Sequence, residues 1–268
     1  MKTSIIHSLA TIATFVLASV ASAGTPVVDG TLDAAAGYSA LSTTSPATKT
    51  GFSAAIDASA LYYTSDASNL YFFIQGNIRP DSTDGIMFLL GTTAQTGATA
   101  GTNLGGIATS GQAFQPFTFG ANAFKAGFEV DRGYVGGSGA TPTDFNINTA
   151  NYVGAVTGGF LGNAGQSGAT VNDSETTQAF KSGGVSTGLG SSTGWEIAIK
   201  RSALGNVSSA NTLQALAIVV SFDGFFSDDS APAVFTGNGG HGFNLGSVPN
   251  AFVGPVQAPV SVSGVDID

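Results

Sequence analysis

Cysteine is absent from this 268-residue chain, which removes disulfide staples, thiolate nucleophiles and thiolate metal sites together. Charge is scarce as well. Eight basic and seventeen acidic residues make up 9% of the chain, where an ordinary soluble surface carries about a quarter or more. Apart from Lys2, the basic residues are scattered as Lys49, Arg79, Lys125, Arg132, Lys181 and the pair Lys200-Arg201. Phosphate binding needs a clustered basic face, so nucleic acid is excluded as a partner. A net charge of −9 suits an anionic membrane surface no better. There is one tryptophan, Trp195, and the only histidines are His7 and His241, too few for a multi-histidine zinc centre. Helix signals are nearly missing. Only Ser202-Ala203-Leu204-Gly205 reads as a single turn, with Ser202 as cap and Gly205 as stop.

The first residues carry a leader pattern. Lys2 gives a positive start, an uncharged apolar run through Phe15-Val16-Leu17 follows, and Ala21-Ser22-Ala23 supplies the small-x-small site of a signal peptidase. Export with cleavage after Ala23 is expected, so residues 1–23 form the signal peptide and 24–268 a single secreted domain, extracellular or at the cell surface. No later apolar stretch is long enough to span a membrane, Leu213 to Val220 being strand-sized.

Strand signals dominate the rest. Leu61-Tyr62-Tyr63-Thr64 and Leu70-Tyr71-Phe72-Phe73-Ile74 flank the turn-formers Ser65-Asp66-Ala67-Ser68-Asn69 and predict a hairpin. Ile86-Met87-Phe88-Leu89-Leu90 is apolar on both faces and predicts a central strand. Alternation from Trp195 to Lys200 puts Trp195, Ile197 and Ile199 on the buried side. Leu213 to Phe222 reads as the longest apolar strand. Between them lie Gly/Ser/Thr-rich segments, Gly91 to Gly111, Gly136 to Thr143, Gly158 to Gly168 and Gly183 to Gly194, read as long loops. The fold class expected is an all-β, antiparallel, jelly-roll-like β-sandwich.

Three stretches carry a family resemblance. Val28-Asp29-Gly30-Thr31-Leu32-Asp33, the hairpin just described, and Gly194-Trp195-Glu196-Ile197-Ala198-Ile199 running on to Ser202-Ala203-Leu204-Gly205 resemble secreted family 9 carbohydrate-binding-module-like and DOMON-like domains. The chain is also similar to bacterial secreted proteins that often end in a Pro-Glu-Pro sorting tail, a tail missing here. The resemblance implies an antiparallel sandwich and extracellular binding. Carbohydrate-binding members stack sugar on exposed aromatics, whereas Trp195 falls on the apolar side of its strand.

Groups that carry chemistry are few. Gly184-Val185-Ser186-Thr187-Gly188 and Gly190-Ser191-Ser192-Thr193-Gly194 match a nucleophile-elbow pattern, with Asp223 and His241 downstream. They lack the strand-to-helix context that strains and exposes the serine. Asp131, and the pair Asp228-Asp229, raise the thought of glycoside hydrolysis, which needs two carboxyls facing one bond. Adjacent acids more often occupy solvated turns. No catalytic residue is assigned, and the chain is not expected to be an enzyme. Two acidic loops, Asp81 with Asp84 and Asp223 with Asp228 and Asp229, are the candidate sites for structural calcium, a hard cation that takes oxygen ligands. Phe225 and Phe226, adjacent between acidic turns, point to opposite faces of a strand and are the candidate contact residues.

The leading functional expectation is a non-catalytic structural or interaction protein, a surface-layer, matrix or filament component. Its partners would be itself or other cell-surface components, with polysaccharide the alternative. A carbohydrate-binding module is the second reading and a secreted hydrolase the third.

Overall fold

The computed structural model describes residues 24–42, 52, 56–78, 84–104, 125–139, 141–183, 193–221, 225–233, 240–241 and 252–256. Two antiparallel sheets face each other, as the alternating patterns required. One holds β1 (Ser39–Ser42), β2 (Asp57–Ser65), β3 (Asn69–Asn77), β8 (Ser167–Asn172), β9 (Thr176–Lys181) and β10 (Gly194–Lys200), in the order β1-β2-β3-β10-β9-β8. The other holds β4 (Asp84–Thr92), β5 (Arg132–Gly137), β6 (Asn146–Asn151), β7 (Thr157–Asn163), β11 (Thr212–Ser221), β12 (Phe225–Ala231), β13 (Gly240–His241) and β14 (Phe252–Pro255). Its order is β13-β12-β11-β4-β5-β6-β7, and β14 pairs the first half of β11 on the edge that β12 takes further along. The chain fills the sheets in blocks, β1–β3, β4–β7, β8–β10, then β11–β14, so it crosses between them three times.

The expected β2–β3 hairpin forms, with Ser65 opposite Leu70 and Thr64 opposite Tyr71. Its turn is set by Asp66, whose Oδ1 accepts the amides of Ser68 and Asn69 at 2.7 Å each, while Oδ2 accepts the Tyr71 hydroxyl at 2.7 Å. Burial works against the Asp66 carboxylate, but these hydrogen bonds outweigh it and hold its pKa below the usual value. Arg201 ties the same turn to the end of β10. Its guanidinium donates to the carbonyls of Asp66 and Val207 and to Ser65 Oγ at 2.8–2.9 Å.

Alternate residues from both sheets form the main core: Leu61, Phe72, Phe88, Trp195, Ile197 and Val219 are all fully buried there. Each such side chain contributes about 1.5–3 kcal/mol by leaving water. Trp195 meets the edge of Phe145 at 5.4 Å, and Phe145 stacks on Phe180 at 4.0 Å. Gly136 makes room for this group, since a Cβ there would lie 2.2 Å from the Phe145 ring. A second core lies on the outer face of the eight-stranded sheet, where Met87, Leu89, Ile218 and Phe226 are covered by Leu104, Ala126, Phe128 and Val130. That is why β4 reads as apolar on both faces.

Several expectations are corrected. Gly158 to Gly168 is mostly strand, forming β7, the turn and the start of β8, and the glycines of Gly136 to Thr143 begin inside β5. The turn after β10 is a 3-10 helix over Arg201–Leu204 that starts at Lys200 without a side-chain cap, so Ser202 is not the cap. Gly205 does end it, with φ of 71°.

Candidate functional site

Asp84, Phe225, Phe226, Asp228 and Asp229 lie towards one end of the eight-stranded sheet. Asp84 opens β4 opposite Ser221 of β11, and β12 lies on the other side of β11. Two strand spacings of about 4.8 Å therefore separate the backbones carrying Asp84 and Asp228. Asp228 and Asp229 are not in a solvated turn, as expected, but fully buried inside β12. Between the pairs Ile218–Ser230 and Val220–Phe226, Val219 faces three residues, Ser227, Asp228 and Asp229. This bulge turns side chains out of the ordinary alternation. The Asp229 amide donates to Ser227 Oγ at 3.0 Å, and Asp229 Oδ1 accepts the Ala58 amide at 3.5 Å. Asp81 and Asp223 lie outside the described residues. Among the described residues, no three acidic or histidine side chains come close enough to hold a metal ion.

Phe225 and Phe226 part company. Phe226 is fully buried in the outer core and is therefore packing rather than contact surface, which corrects the expectation for that residue. Phe225 is half-buried, with its ring 5.8 Å from that of Phe52. Its strand partner is His241. Ser186 and Ser192, the serines at the nucleophile position of the two pattern matches, lie outside the described residues. Asp131 is buried, and its Oδ2 accepts the amide and hydroxyl of Thr92 at 2.8 and 3.0 Å. Burial, opposed by the Thr92 hydrogen bonds, pushes its pKa up.

The sequence reading passed over Glu196, the residue that organises the opposite face. It alternates with Trp195 and so points to the outer side of the six-stranded sheet, yet it is fully buried. The segment 24–38 lies over it. Glu196 Oε1 accepts the Tyr38 hydroxyl at 2.7 Å, and Oε2 accepts the amides of Asp29 and Gly30 at 3.0 and 3.2 Å. Gly30 in turn accepts the Gly194 amide at 3.0 Å. Burial raises the Glu196 pKa to about 7, against the pull of those three donors and with a small addition from Asp29. Tyr38 packs its ring against Phe73 at 6.3 Å, completing the cover.

A cleft of about 170 Å³ opens between β5–β7 and the β8–β9 turn. Its one cation is committed. Arg132 donates to Asn151 Oδ1 and to the Ala203 carbonyl, and pairs with Glu175 at 3.6 Å. The buried hydroxyl of Tyr134, which also lines the cleft, has its pKa raised by burial. These groups tie one sheet to the other.

The two longer sheet edges meet on this side. β7 and β8 end their respective sheets, and most of their side chains are exposed or half-exposed. Val156 and Phe160 are 47% and 39% exposed, two of the three large apolar side chains exposed among the described residues. Comparison with models of known protein families, with characterised proteins and with solved structures finds no match for this chain.

Proposed function

We propose that this chain is a secreted, non-catalytic structural or interaction protein that associates outside the cell with copies of itself or with other surface or matrix components. The observation that carries the reading is the uncharged edge. Both sheets have cover on their outer faces, from residues 24–38 on one and from Leu104 and 126–130 on the other. The β7–β8 side instead presents exposed, uncharged side chains, and among the described residues each of these strands pairs on one side only. Natural monomers guard such edges with charge. Trp195, fully buried, offers no stacking platform for sugar.

Light scattering on residues 24–268 across a concentration series tests the reading, alongside electrophoresis through polysaccharide gels. Association with itself, without retardation by polysaccharide, is the expected result. A monomer at every concentration that is retarded by polysaccharide would replace it with the carbohydrate-binding alternative.

A further inference from the structure

The exposed side of the sandwich offers a specific contact, and it rests on the assembly reading above. We propose that β7 is the edge through which this chain pairs with a second copy of itself, antiparallel about a two-fold axis, joining two eight-stranded sheets into one. Only β6 pairs with β7 among the described residues. The register with β6 is unbroken over residues 157–160 and shifts at Leu161, so at about 3.4 Å per residue the regular edge is roughly 14 Å long. Val156 and Phe160 add exposed apolar surface at its two ends.

Charge selects a second copy as the partner. With a net charge of −9, two chains repel each other over most approaches. From Phe145 to Asn172, however, there is no charged residue at all, and this stretch contains β6, β7 and β8. Two copies brought together along β7 set uncharged strand residues opposite each other, with acids only at the ends, Asp144 on Asn163 and Asp173 and Glu175 beside Thr157. A two-fold contact needs one self-compatible surface, which an uncharged strand edge supplies.

The other edges fit less well. Both β7 and β8 carry an irregularity, at Leu161 and before Thr170, but only β8 has Lys181 opposite its first residue. β8 also lies close under the segment that covers Glu196, since a Cβ on Gly168 would be 2.4 Å from the Asp29 carbonyl oxygen. On the far side of the sandwich, β1 has four residues and β13 two.

Gly159 gives a clean test, because a Cβ there meets nothing within 4 Å. Gly159→Lys places a cation on the edge, and the two-fold sets it near its own copy. The substitution also lowers the net negative charge, so non-specific association would strengthen while edge pairing weakens. Thr157→Lys, on an exposed side chain, is the second variant. Sedimentation and light scattering of residues 24–268 should show wild type and Gly159→Ala associating alike. Both lysine variants should need about tenfold more protein, or more, to reach half-association, at an unchanged melting temperature. Lysine variants that associate like wild type would overturn β7 as the edge while leaving assembly itself standing. A wild type that stays monomeric throughout would overturn both.

Discussion

Glu196→Gln tests how the cover over the six-stranded sheet is held. The carboxyl is fully buried, and its pKa stands at about 7 against an ordinary 4.5. At pH 4.5 and below, the group is largely neutral in both folded and unfolded chains, so it has little pH-dependent effect. Between pH 4.5 and 7 the unfolded chain ionises first, because the folded chain must pay desolvation to do so. Stability therefore falls as pH rises through that window, and above pH 7 the full loss is present. One pKa unit is about 1.4 kcal/mol, which makes the loss about 2–3 kcal/mol once partial screening by solvent is allowed for. Gln keeps the shape without the charge. Its oxygen can accept the Asp29 and Gly30 amides while its NH₂ donates to the Tyr38 hydroxyl. Urea melts from pH 4 to 8.5 should show the two proteins converging at the acid end. At pH 8 the variant should be more stable by about 2–3 kcal/mol, or some 5–10 °C in melting temperature for a chain of this size. A variant less stable than wild type at pH 8 would refute the reasoning, since the three donors would then be stabilising the carboxylate by more than burial costs it.

Other outcomes follow from the same packing. Trp195→Ala should cost about 3–5 kcal/mol, read as a lower denaturant midpoint, because the ring is fully buried against Phe145; an unmoved midpoint would take Trp195 out of the core. Identical melts with and without a chelator would leave Asp84, Asp228 and Asp229 as packing alone. A drop reversed by calcium would instead assign an ion to the end of the sheet that carries Asp84, Asp228 and Asp229. Mass spectrometry of the envelope or medium fraction should find Gly24 as the first residue, and a cytoplasmic protein retaining Met1 would defeat the export reading.

Strands rich in β-branched and aromatic residues were legible because their own side chains carry the signal. The β2–β3 hairpin, β4, β10 and β11 all follow the apolar alternation or continuous apolar runs of their sequences. The strands of the β5–β9 stretch were not legible, for a physical reason. Thr157–Asn163 buries little of its own, and Asn146–Asn151 is mostly buried but rich in Asn, so both owe their extended form to pairing with a neighbour. Gly136, which reads as a loop former, is in β5 because the Phe145 ring occupies the space of its side chain. Local composition cannot report a requirement imposed by a ring on a later segment.

The sites divide along the same line. Asp84 and Asp228-Asp229 were recognisable as acidic residues, but Asp228 and Asp229 lie in a bulge of β12, and a bulge is a property of register between two strands. Glu196 was visible only as the polar phase of the alternation in β10. What makes it matter is a segment more than 150 residues earlier, which lays two amides and a tyrosine hydroxyl against it. The stretch Val28 to Asp33 and the stretch beginning Gly194-Trp195-Glu196 are two of the three that carry the family resemblance. The structure gives their pairing a physical cause: Gly30 accepts the amide of Gly194, and a Cβ on Gly30 would be only 2.5 Å from the Lys181 amide nitrogen of the neighbouring β9. Glycine at position 30, with φ of 73°, lets that backbone lie close enough for Glu196 to reach it. A side chain at position 30 would lift the segment off the sheet, withdraw the Asp29 and Gly30 amides from Glu196 and uncover the apolar face beneath, a loss that one residue's own contacts would not reveal.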